Sequence, residues 1–124
     1  MNLSYKITRL SLAIVFLYHG IVPKIIFGSA QEIEMNNFFM PFLSEKNALL
    51  ISGVLEIIYA ITLLVFFRSK LLLIPCYIFM LFVTPILIFK FPHFFTEAFN
   101  PFTLNFSILV LTILNHIHSS KDLR

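Results

Sequence analysis

Apolar residues run along this chain in four long blocks, broken by short polar stretches at 28–47, 68–70, 90–101 and 118–124. A helix needs roughly 20 apolar residues to cross roughly 30 Å of hydrocarbon. The blocks at 10–27, 48–67, 71–89 and 102–117 meet that length or come close to it. The pattern predicts an all-α fold class: a polytopic membrane protein built as a four-transmembrane-helix bundle, one domain over residues 1–124. Loops as long as 28–47 seldom lack structure of their own. Its partly apolar middle, Asn36 to Leu43, predicts a short helix at the membrane interface, with Phe38, Phe39 and Phe42 dipping into lipid or capping the bundle. The loop 91–101 has the same Phe-rich character and is expected to touch the membrane edge.

The breaks differ in charge. Lys6 and Arg9, then Arg68 and Lys70, then Lys121 and Arg124 fall on one side of a four-span chain. Glu32, Glu34, Glu45 and Glu97 fall on the other, with Lys46 and Lys90. The positive-inside bias then places both termini and the 68–70 turn in the cytoplasm, in a bacterial inner membrane. The first block also has the basic start and small residues (Gly28, Ser29, Ala30) of a signal peptide. Pro23 and Lys24 interrupt it before that point, so cleavage is not expected.

Composition sharpens this. Hydrophobic residues make up 59% and charged residues 12%, against about 25% charged in soluble domains. A net charge of +3, with the basic residues at span ends, is a topology signal and no mark of nucleic-acid binding. With 16 Phe and no Trp, Phe and Tyr supply any aromatic belt. The one cysteine, Cys76, rules out an internal disulfide, a thiol pair and a multi-cysteine metal site. Its expected role is a small buried side chain.

Glu56 is the only charge in the block 48–67. A carboxylate inside such a span is costly, and marks a ligand path or a proton site by default. Counting 1.5 Å per residue from the outer ends, His19 and Glu56 both lie about 12 Å inward. Lys24 lies nearer the edge, and Asn105, Thr84 and Pro85 reach the same half from the other spans. The opposite half reads as nearly pure Leu, Ile, Val and Phe. Gly53 and Ala60 flank Glu56 on its helix face, which allows close helix approach. His19 and Lys24 are five residues apart, about 140° around an α-helix, so one of the two is the expected partner of Glu56. The candidate ligand-binding or proton-relay residues are therefore His19, Lys24, Glu56 and Asn105, with Tyr18, Gly20, Gly53 and Thr84 as the pocket wall. Against this stands a plain structural ion pair clamping two helices. His93 reads as a solvated loop residue. His116 and His118 have i, i+2 spacing, which turns them to different sides of a helix, so no metal is expected there. Phosphate-binding loops, serine elbows, HExxH and CxxCH are all absent.

Three patterns then resemble a known family. Arg9-Leu10-Ser11-Leu12-Ala13 leads to Phe16-Leu17-Tyr18-His19-Gly20-Ile21-Val22-Pro23-Lys24. Ser52-Gly53-Val54-Leu55-Glu56-Ile57 carries a Gly-x-x-Glu, and Asn100-Pro101-Phe102 opens the last block with Asn105 just inside. In this order and spacing, from Arg9 to Ile117, the chain resembles the DoxX-like family of small four-helix membrane proteins. The resemblance implies a bundle with both termini inside. It also implies a link to membrane redox complexes, since the founding members are subunits of a thiosulfate:quinone oxidoreductase. This chain carries no nucleotide-binding domain and no thiol pair, so catalysis of its own is left open.

The leading expectation is an accessory or quinone-binding subunit of a redox-linked inner-membrane complex. Quinone is the candidate cofactor. Membrane lipid, a protein partner in that complex or a second copy of the chain are the candidate partners, and nucleic acid is not among them. The rivals are a small proton-coupled transporter and a non-catalytic scaffold.

Overall fold

The structure, a computed structural model, describes residues 2–121. Among these the chain is helical, with no strand, as the apolar blocks require. In hydrocarbon every backbone N–H and C=O must be satisfied within the segment, and a helix does this alone. The helices are α1 (Leu3–Ile26), α2 (Ala30–Phe39), α3 (Glu45–Val65), α4 (Leu71–Lys90) and α5 (Pro101–Lys121). Four of them, all but α2, are long and apolar enough to cross a membrane. The chain is thus an all-α, multi-pass membrane protein. Arg124, expected to carry charge in the tail, lies outside the described residues.

The first span differs from its sequence outline. It starts at Leu3, not at residue 10, because Arg9 is inside the helix and fully buried instead of flanking it. The helix α4 is continuous but changes winding: a 3-10 turn at Leu71–Leu73, α-helix at Ile74–Ile78, π-helix at Phe79–Val83, and α-helix again at Thr84–Lys90. Pro75 and Pro85 each lack the N–H that regular winding would use, which accounts for the changes.

The chain divides into two compact units, residues 13–65 and residues 1–12 with 66–124. In the first unit, α2 and the end of α1 pack on α3. Gly28 ends α1 with a φ of 54°, a left-handed conformation that glycine adopts without strain. Ser29 then caps α2, its hydroxyl accepting from the Glu32 amide. The helix stops at Phe39, because Met40 precedes Pro41 and is pushed out of helical geometry. So the expected loop helix exists, but begins earlier than its apolar middle indicated. Phe38, Phe39 and Phe42 are exposed.

In the second unit, α5 packs along α4. Asn100 opens α5, its side-chain oxygen accepting from the Thr103 amide, with Pro101 at the first helical position. The loop before it is held by Phe91 and Phe94, both buried and stacked 5.1 Å apart.

Candidate functional site

The end of α1 is wound as a π-helix over Gly20–Ile26. Pro23 is inside it and cannot donate to the carbonyl four residues back. The chain accommodates this by widening the turn: the Phe27 amide donates to Val22 O, 3.1 Å away. A π-turn brings residues five apart onto nearly the same side, whereas an α-turn separates them. Of His19 and Lys24, one is the expected partner of Glu56. Lys24 is the partner of Glu56, and half-buried His19 is within electrostatic reach of Lys24 and Glu32.

Glycines bring α1 and α3 together at this level. A Cβ on Gly20 would lie 2.6 Å from the Gly53 carbonyl oxygen, and one on Gly53 would lie 2.7 Å from that of Gly20. Only hydrogen fits at either position. This approach sets Lys24 Nζ 2.8 Å from Glu56 Oε1. Lys24 is 7% exposed, so the ion pair is largely shielded from solvent.

A second carboxylate joins them. Lys24 Nζ is 3.2 Å from Glu32 Oε2 on α2. Ser29-Ala30-Gln31-Glu32 has the S-x-x-E form of a capping box, in which the glutamate reaches back to the capping residue's amide. Here the Ser29 amide donates instead to Pro23 O at 2.8 Å. That leaves the Glu32 carboxylate to engage Lys24. Asn36, one turn on, donates to Glu32 O at 2.7 Å and to Glu32 Oε2 at 3.4 Å. One ammonium therefore sits between two carboxylates, supplied by α1, α2 and α3.

One atom in this cluster is unsatisfied. Glu56 Oε2 is buried and has no hydrogen-bond partner among the described residues. A buried polar atom without a partner costs about 1–3 kcal/mol, so such atoms are rare unless something else fills the gap. Lys24 has three N–H groups; one donates to Glu56 Oε1, and the ammonium lies within ion-pair distance of Glu32 Oε2. The site can accept one hydrogen bond at Oε2 and donate another from Nζ.

The other candidates fall as follows. Gly20 and Gly53 form the close contact between α1 and α3. Tyr18 is 56% exposed and meets His19 edge to face, with ring centroids 5.7 Å apart. Asn105 and Thr84 belong to the other unit, where the Asn105 amide donates to Thr84 Oγ1 at 3.0 Å. Among the described residues no group of three or more His, Cys, Asp or Glu is placed to hold a metal ion. The His116 ring meets Tyr77, and His118 meets Asn2.

Sequence reasoning missed Glu32 and Asn36, which look like ordinary polar loop residues. The S-x-x-E pattern could have placed Glu32 in the first turn of a helix, close after Lys24. It also missed a second polar cluster. Arg9, Thr112 and Asn115 are fully buried, and Thr8 nearly so, where the pattern predicted an almost purely apolar half. Arg9 Nη2 donates to Phe66 O and Ser69 O, each at 3.0 Å, just past the end of α3. Asn115 donates to Tyr5 O and Thr8 Oγ1, and Tyr5 donates to Phe67 O. The reason is geometric: a helix end that turns back leaves bare carbonyls, which a guanidinium can cap.

A family model described as the DoxX-like family matches residues 13–113, most of the chain. The chain belongs to the DoxX-like family. No curated protein and no solved structure matches it. The DoxX-like match contains Lys24, Glu32, Glu56, Thr84 and Asn105, while Arg9 and Asn115 lie outside it.

Proposed function

We propose that this DoxX-like protein is a membrane subunit holding a lipophilic ligand of the quinone class at Glu56 and Lys24. The observation that carries the reading is the buried, unpartnered Glu56 Oε2 beside an ammonium. A hydrogen-bonding ring that enters from lipid satisfies that atom, and an apolar tail suits a chain whose exposed surface is mostly Leu, Ile, Val and Phe. His19 stands nearby as a further polar group. The ligand would serve a larger redox complex, in an inner membrane with both termini cytoplasmic. The charge distribution of the loops supports that orientation.

The test is gentle extraction from the native membrane, native mass spectrometry, and an ultraviolet spectrum of the organic extract. The expected result is a bound quinone or quinol in the wild type that is lost in Glu56→Gln, with the melting temperature of the variant recorded alongside. A second reading is favoured by the glycine contact of α1 and α3, which makes the same pair a helix clamp. A chain that carries no small molecule and melts lower in Glu56→Gln would establish the clamp and end the ligand reading.

A further inference from the structure

We infer that the site selects its ligand by hydrogen-bond polarity, taking the reduced, hydroxyl-bearing form of the ring in preference to the oxidised carbonyl form. This rests on the ligand reading proposed for Glu56 and Lys24. Within the ion pair itself the donors face its two carboxylates. Lys24 donates to Glu56 Oε1 and its ammonium lies 3.2 Å from Glu32 Oε2, and Asn36 donates to Glu32. The open acceptor is Glu56 Oε2. A ring carbonyl can only accept. It can take the remaining N–H of Lys24, but it leaves Glu56 Oε2 buried and bare. A ring hydroxyl donates to Glu56 Oε2 and can accept from Lys24 at the same time. A site built around an acceptor rejects a ligand that lacks the matching donor far more strongly than it rejects a change of shape.

Glu32 sets this polarity. It makes no hydrogen bond to the orphan atom, but its carboxylate, 3.2 Å from Nζ, holds the Lys24 ammonium away from an incoming carbonyl. It is a specificity-determining residue, acting through Lys24.

The experiment is anaerobic equilibrium dialysis of the detergent-purified full chain. The probes are decylubiquinol, decylubiquinone and the dimethyl ether of decylubiquinol. The ether keeps ring and tail but has no donor. The quinol is expected to bind about tenfold or more tighter than the other two. In Glu32→Ala the ratio of quinol to quinone affinity is expected to shrink, through tighter binding of the quinone. Quinone or ether binding as tightly as the quinol would overturn the polarity while leaving the ligand class standing. An unchanged ratio in Glu32→Ala would overturn the assignment of Glu32 as the residue that sets the polarity. Failure of all three probes to bind the wild type would overturn the ligand class and the polarity together.

Discussion

Lys24 illustrates how a lysine comes to be buried in a membrane protein. Two carboxylates and a widened helix turn surround it, and each removes part of the penalty for taking a charge out of water. Truncating one partner of such a group strands the others, at a cost of about 3–5 kcal/mol. Lys24→Met is therefore expected to melt well below wild type in detergent. The double variant Lys24→Met with Glu56→Leu is expected to recover much of that loss, since a buried pair replaced by apolar groups is often close to neutral. A double variant no better than the single one would contradict this. Arg9 supports a similar argument with different chemistry. Its planar guanidinium serves three acceptors at once, Nη2 donating to two carbonyls 3.0 Å away and Nη1 to Asn115 Oδ1 at 3.5 Å, which an ammonium on a flexible stem holds less well. Arg9→Lys is expected to lower the melting temperature although charge is kept, and thermal unfolding followed by size exclusion would measure it. Glu56 was legible in the sequence because it is a lone charge in an apolar block. Glu32 was not, because hydropathy cannot distinguish a carboxylate that points to solvent from one that turns inward.

At the scale of the element, the decisive features are a proline and two glycines. Pro23 widens the end of α1, and Gly20 and Gly53 let the widened turn touch α3. A methyl group at Gly53 would meet the Gly20 carbonyl well inside van der Waals contact. Gly53→Ala is expected to cost about 1–3 kcal/mol of stability, as overpacking does elsewhere. Gly20→Ala, facing the reciprocal contact, should cost a similar amount, and a melting curve unmoved by either would refute the contact. Pro23→Ala returns the missing N–H and permits regular winding. Its expected signature is unchanged helicity by circular dichroism with weakened decylubiquinol binding, because Lys24 rotates away from Glu56. The span lengths and the Gly-x-x-Glu pattern could be read from the chain, since both depend on local composition. The π-winding could not, because an α-helical wheel assumes the very periodicity that Pro23 removes. The chain did narrow the partner of Glu56 to His19 or Lys24, and it is Lys24.

For the whole molecule, the proposed orientation predicts 2–4 and 68–70 on the cytoplasmic face and 40–44 and 92–97 on the opposite face. In a Cys76→Ser background, Asn2→Cys and Arg68→Cys are expected to react with an impermeant maleimide only after lysis. Ser44→Cys and Glu97→Cys should react in spheroplasts. The reverse pattern would invert the orientation. The two polar clusters also differ in how far apart along the chain their members lie. Lys24, Glu32 and Glu56 fall within one early stretch, so the ribosome has made all three before α4 begins, and the charges can neutralise one another while the nascent chain is still entering the bilayer. Arg9 meets the Phe66 and Ser69 carbonyls later, and Asn115 only after most of α5 has been made. The first helix must therefore wait for its guanidinium to be fully capped until α5 arrives, which makes synthesis of that helix the step that seals that end of it.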